Sequence, residues 1–146
     1  GMGYMVDGVP YFYNDSVKCH TTETEFDVSS LKELPKVGVA YFTIDADPEI
    51  LDYYKESGVQ GIVIAGAGSG CYSEQWNNKI DELAETGIPV VRCSRIGSGV
   101  ITQDDYFIGN IARGNDLAPQ KAATLLRLIL TVTNDIEQVQ NMFDKY

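Results

Sequence analysis

Histidine, cysteine and basic residues are scarce in this chain. Its 146 residues include one histidine, three cysteines, and 11 basic residues against 21 acidic ones, a net charge of −10. The acidic balance argues against a nucleic-acid partner, which needs a basic footprint, and against an anionic membrane surface. No apolar run approaches the roughly 18 residues that would cross a bilayer. Cys19, Cys71 and Cys93 are odd in number and contain no C-x-x-C pair, which disfavours a disulfide framework or a zinc site; burial as small hydrophobes is the expected role for most of them. A Ser-His-Asp or Cys-His site would have to use His20, which lies in a polar segment far along the chain from Cys71 and Cys93. The first residues do not read as a secretory signal. Gly1-Met2 reads as a cloning remnant or an internal start, and a fragment's beginning carries no information on compartment.

The length suits one domain with a core large enough to fold without metal or disulfide. Its centre is Gly61–Ala65, in which Ile62, Val63 and Ile64 form a short apolar run typical of a strand buried on both faces. Glycines follow at 66, 68 and 70, and Ser73–Thr86 then has a helical period with Trp76, Ile80 and Leu83 on one face. Strand, glycine loop and helix make the βα unit of a parallel sheet, and such sheets place ligands at the carboxyl ends of their strands. The loop is not a dinucleotide fingerprint, because Cys71 stands where the last glycine belongs, and no Lys-Ser/Thr follows to make a P-loop. A tight turn off a buried strand is the alternative reading.

Elsewhere, Tyr4–Val6, Asp7-Gly8 and Val9–Tyr13 read as a β-hairpin whose aromatics call for something to pack on. Asn14–Glu25 is a polar connector, and Phe26–Leu34 a turn or short helical piece ended by Pro35. Strands are expected at Val37–Ile44 and Ile88–Cys93. A helix opens at Asp47-Pro48, with Ile50, Leu51 and Tyr54 inward, and ends at Gly58. Ser94–Asn115 is irregular, with a short strand expected around Phe107-Ile108 and Ile111; long irregular stretches tend to be functional or mobile. Pro119–Val132 is a helix with Ala122, Leu125, Leu126 and Ile129 inward. Asn134 and Glu137 have the spacing of a capping box for a last helix striped by Ile136, Val139 and Phe143. The expected fold is α/β: a small three-layer domain with a mostly parallel sheet of three to four strands between helices, preceded by the hairpin.

Several motifs together resemble the C-terminal domain of bacterial, type II-like L-asparaginases, of the asparaginase/glutaminase family. They are His20-Thr21-Thr22-x-Thr24-x-Phe26-Asp27-Val28, Leu34-Pro35-Lys36-Val37, Gly61-Ile62-Val63-x-Ala65-Gly66-x-Gly68-x-Gly70, Val90-Val91-Arg92-x-Ser94-Arg95, Thr102-Gln103-Asp104, Leu117-x-Pro119-Gln120-Lys121-Ala122 and Phe143-x-x-Tyr146. The resemblance implies residues 1–25 as hairpin and inter-domain connector and 26–146 as the C-terminal α/β domain. It implies hydrolysis of L-asparagine, or L-glutamine, to the acid and ammonia by the whole enzyme, with no cofactor and no metal. The family's Thr-Gly-Gly-Thr and Thr-Asp motifs, which carry its nucleophile, do not occur in this chain, so the resemblance implies a missing N-terminal catalytic domain and an inactive isolated chain. It also implies a homodimer or homotetramer in which this domain lends substrate-binding residues to a second subunit's site. The lent positions fall at Ser69 and Cys71 in the glycine loop and at Asp105 or Tyr106 after Thr-Gln-Asp. A thiol at 71 is a poorer hydrogen-bonding group than the family's amide or hydroxyl. Simple burial of Cys71, solvated loop charges at Asp104 and Asp105, and a core role for Tyr106 are the alternatives. The type II flavour favours the periplasm, with the cytoplasm open. Two rival readings are a non-catalytic module that dimerises or senses a small amino acid, and a relative of transfer-RNA-dependent amidotransferases, which the acidic charge disfavours.

Overall fold

The computed structural model describes residues 2–104, 106–107 and 109–146. It is α/β, with a four-stranded sheet in which every neighbouring pair is parallel, and a separate two-stranded hairpin. The hairpin pairs β1 (Gly3–Val6) with β2 (Val9–Phe12), Val6 opposite Val9. Asp7 and Gly8 between them both have positive φ, 50° and 79°, as a type I′ turn requires. Tyr4, Phe12 and Tyr13 are each more than two-thirds exposed. The connector contains a 3₁₀ turn at Thr21–Glu23.

The main sheet runs β3 (Val37–Tyr41), β4 (Gly61–Gly66), β5 (Val90–Ser94) and β6 (Ala112–Arg113), in that spatial order. Helices α1 (Ile50–Glu56) and α2 (Glu74–Glu85) are the β3–β4 and β4–β5 crossovers, and α3 (Pro119–Ile129) and α4 (Ile136–Lys145) close the chain. β4 is buried throughout. Its side chains alternate as the period of two dictates: Ile62 and Ile64 join the core with Leu51, Trp76, Ile80 and Leu83, while Val63 joins Leu126, Ile129, Val139 and Phe143 on the other face. A sheet with two cores needs helices on both sides, and α1–α2 and α3–α4 supply them. Trp76 anchors the first core. Its ring is 1% exposed, Phe42 meets it edge-on at 5.5 Å, and its Nε1–H donates to Ala46 O at 2.7 Å.

Three local expectations are corrected. β3 stops at Tyr41, not Ile44; Phe42 N still donates to Ala65 O, but Ile44 is 89% exposed and has no sheet to pack on. Phe26–Leu34 forms turns, the first of the two forms expected for it. Asp47 does accept from Glu49 N, but the helix proper begins at Ile50, and Ile50 faces solvent while Leu51 and Tyr54 face inward. The last helix is capped by Asp135, whose Oδ1 accepts from Gln138 N at 3.0 Å, rather than by Asn134. No helix of the described residues is long and apolar enough to cross a membrane.

Candidate functional site

The carboxyl edge of the sheet carries two loops. The first leaves β4 at Gly66 and folds back on itself: Ala67 and Cys71 exchange backbone hydrogen bonds at 2.8 and 2.7 Å. Gly68 and Gly70 have φ of +53° and +82°, the left-handed values that make so tight a return possible. The return exposes Ser69 and Cys71 and leads into Ser73, whose side chain caps α2 at Trp76 N.

The second loop follows β5 and contains Thr102, Gln103, Asp104 and Tyr106, all exposed. Asp104 Oδ1 accepts from Tyr106 N at 2.9 Å, and Arg113 Nη1 donates to Gln103 Oε1 at 3.3 Å. The short strand expected around Phe107 and Ile111 is displaced. β6 is Ala112–Arg113, paired with Val91 and Arg92, while the Phe107 ring turns in beneath the loop. Ile108 and Asp105 lie outside the described residues. Tyr106 is 53% exposed rather than core.

The end of β5 ties the first loop down. Ser94 Oγ donates to Gly68 O at 2.5 Å, Arg95 N to Gly66 O at 2.8 Å, and Arg92 Nη1 to Ser69 O at 3.0 Å. Arg95 Nη1 also reaches Phe42 O beyond β3, at 2.8 Å. Arg92 in addition holds the second loop, Nη2 donating to Thr102 O at 2.8 Å. Its guanidinium carbon lies 4.3 Å from the centre of the Phe107 ring. Phe107 meets Tyr72 and Tyr106 edge-on, at 4.8 and 4.9 Å. The structure therefore brings Ser69 and Cys71 to one lip, and Asp104 and Tyr106 to a lip beside it.

Behind these lips lies a pair of buried polar groups. Arg92 is 3% exposed and Tyr72 6% exposed. Among the described residues, neither Arg92 Nε nor the Tyr72 hydroxyl has a hydrogen-bond partner, and the buried Oδ1 of Asp81 on α2 has none either. Burial pushes the Tyr72 phenol far above its ordinary range, against the pull of Arg92. Burial also raises the Asp81 carboxyl, with Glu85 adding to it, and lowers the Arg92 guanidinium.

Of the three thiols only Cys93 is buried. Burial pushes it up to about 12, which makes it inert. Cys71 is exposed, so packing against α2 is not its role, and Cys19 is half-buried on the connector. His20 is exposed, its Nδ1 3.3 Å from Thr21 Oγ1. Among the described residues no three His, Cys, Asp or Glu side chains are grouped to hold a metal. A surface cavity of about 850 Å³ lies at the opposite, amino edge of the sheet, lined by Lys36, Val37, Gln60 and Arg127 among others. The lips offer hydroxyls, carbonyls and a carboxylate, groups suited to binding a small ammonium-bearing molecule. Among the described residues they contain no hydroxyl or thiol hydrogen-bonded to a base, so the arrangement can bind but has no visible nucleophile.

Comparison with known proteins places this edge in context. Residues 36–143 match the glutaminase/asparaginase C-terminal domain. The chain belongs to that family. It is 38% identical to the L-asparaginase 2 of Bacillus subtilis over 146 residues, 99% of this chain and 39% of that protein. It is 40% identical to the L-asparaginase 2 of Escherichia coli over 149 residues, again 99% of this chain and 42% of the relative. The crystal structure of a probable cytoplasmic L-asparaginase from Campylobacter jejuni superposes with a TM-score of 0.91 at 38% identity, covering 99% of this chain and 47% of that one. The chain thus spans less than half the length of the asparaginases it matches, and corresponds to their C-terminal domain.

Arg92 is the residue that reading by motif missed as a working part. Its signal was present: one charged residue inside Val90-Val91-Arg92-Cys93, a run otherwise buried and apolar. Arginine is almost never fully buried without a partner, so its position alone marks something it must hold.

Proposed function

We propose that the protein carrying this chain hydrolyses L-asparagine to L-aspartate and ammonia, and that this chain is its substrate-binding C-terminal domain. The observation that carries the reading is the match of 99% of the chain to L-asparaginases at 38–40% identity. The two lips at the carboxyl edge of a parallel sheet support it, because that is where such sheets hold small ligands. Residues 26–146 form the domain, and residues 1–25 join it to an N-terminal domain that supplies the threonine nucleophile. In this reading Ser69, Cys71, Asp105 and Tyr106 bind the substrate's α-ammonium and α-carboxylate, lent across the interface of a homo-oligomer. The exposed apolar face of the hairpin, with Tyr4, Phe12 and Tyr13 in water, fits a surface that the N-terminal domain covers.

The test is ammonia release from L-asparagine. The complete protein is expected to release it and the 146-residue chain alone to release none. Release by the isolated chain that survives repurification would place a whole site within these residues and end the lent-residue reading. A complete protein that releases none would end the asparaginase reading.

A further inference from the structure

Arg92 is a buried guanidinium with no carboxylate in ion-pair contact among the described residues. Taking a charge out of water is costly unless hydrogen bonds replace the hydration. Among the described residues the replacement comes from the two lips: Ser69 O on one, Thr102 O on the other, and the face of Phe107, which follows Tyr106. Neither lip can lift away without stripping a hydrogen bond from a buried charge. A lost hydrogen bond to a charged donor costs about 1.5–3 kcal/mol.

We infer that Arg92 is a positioning residue that couples the two lips, so that they hold one shared geometry for a small zwitterionic amino acid. This rests on the substrate-binding role proposed above. The planar fork is what the geometry needs, since Nη1 and Nη2 donate in different directions from one rigid plane while the ring stacks on its face. A lysine ammonium would keep the charge but not that fork. A residue that only stabilised the fold would, when replaced, loosen the strands it sits in; a coupling residue loosens the two loops together and leaves the strands alone.

Arg92→Lys in the 146-residue chain tests this by amide hydrogen exchange. Exchange is expected to speed up by about tenfold or more in both 67–72 and 101–107, with the amides of β4 and β5 unchanged. Acceleration in one loop only, or across β4 and β5 as well, would overturn the coupling. Should Arg92→Lys fail to fold, Phe107→Leu removes the ring and leaves the guanidinium. Both loops should again loosen, and a change confined to 101–107 would count against the inference. In the complete enzyme, Arg92→Lys should raise KM for L-asparagine about tenfold with kcat within about twofold of native; a fall in kcat at unchanged KM would contradict it. A native complete protein that turns over no asparagine would remove the proposed function, while the exchange experiment would still decide the coupling.

Discussion

Replacing Gly66 by alanine would test whether the glycine loop is built by close backbone approach. Gly66 is the last residue of β4, and its φ is not positive, so conformational strain is not at issue. Space is. A Cβ there would sit 2.8 Å from Gly70 Cα and nearer still to the Gly70 carbonyl, and none of those atoms is the yielding tip of a side chain. The loop would have to swing out, opening the paired hydrogen bonds between Ala67 and Cys71. Overpacking of this kind costs about 1–3 kcal/mol, and two hydrogen bonds add about 1 kcal/mol each. The sum, about 3–5 kcal/mol, corresponds to a fall in Tm of about 9–15 °C for a domain of this size. Gly68→Ala is the control, because its φ of +53° costs about 1–2 kcal/mol but its Cβ would meet nothing within 4 Å. Thermal unfolding by circular dichroism measures both. A Gly66→Ala variant that melts within about 2 °C of native, or no lower than Gly68→Ala, would refute the close-approach argument.

Three other outcomes follow from the geometry. Asp81 has one buried oxygen with no partner among the described residues, and desolvation raises its carboxyl above the ordinary value. The folded state then prefers the protonated form, so the group's contribution to stability is intact below the unfolded pKa and is lost as pH rises through the folded one. Asp81→Asn should therefore stabilise the chain by on the order of 1 kcal/mol at pH 7 and by nothing near pH 3, measured by urea titration at the two values; an equal effect at both would refute it. A colorimetric thiol reagent should label the exposed Cys71 first, the half-buried Cys19 more slowly, and the buried Cys93 only on unfolding, as mass spectrometry of the labelled peptides would read. Asp135→Ala should cost about 1 kcal/mol by removing the cap of α4, and Asn134→Ala only a few tenths, the two compared by denaturant midpoint.

The fold was legible wherever burial alone decides. Ile62-Val63-Ile64 declares a central strand because no other element hides consecutive β-branched residues so cheaply, and Trp76, Ile80 and Leu83 declare the helix that covers it. Hydrophobic pattern is weaker at edges, where a hydrogen bond decides. Thr43 and Ile44 continue the apolar run of β3 and yet leave the sheet, because β4 has already turned away at Gly66. Asn134 and Asp135 are both good caps by type, and only the direction of the chain arriving from Thr133 selects the second. The hairpin needed just two residues, Asp7 and Gly8, because a turn with positive φ at both positions admits few others.

The candidate site was half legible, for a physical reason. Glycines at 66, 68 and 70 announce a tight loop, and exposed groups at its tip follow from its shape. What positions the loop is carried by main-chain carbonyls, those of Gly66, Gly68 and Ser69, and any residue type offers a carbonyl. Their donors were visible only as a charge misplaced in an apolar strand, Arg92, and as two polar residues at its end, Ser94 and Arg95. Sequence pattern can thus say that Arg92 is buried and must be satisfied, while saying nothing of which carbonyls satisfy it. The same reasoning applies to Phe107, whose sequence pattern suggests a strand. An aromatic between glycines and aspartates reads as β by pattern, whereas in the fold its ring lies against the Arg92 guanidinium and β5 pairs instead with Ala112 and Arg113.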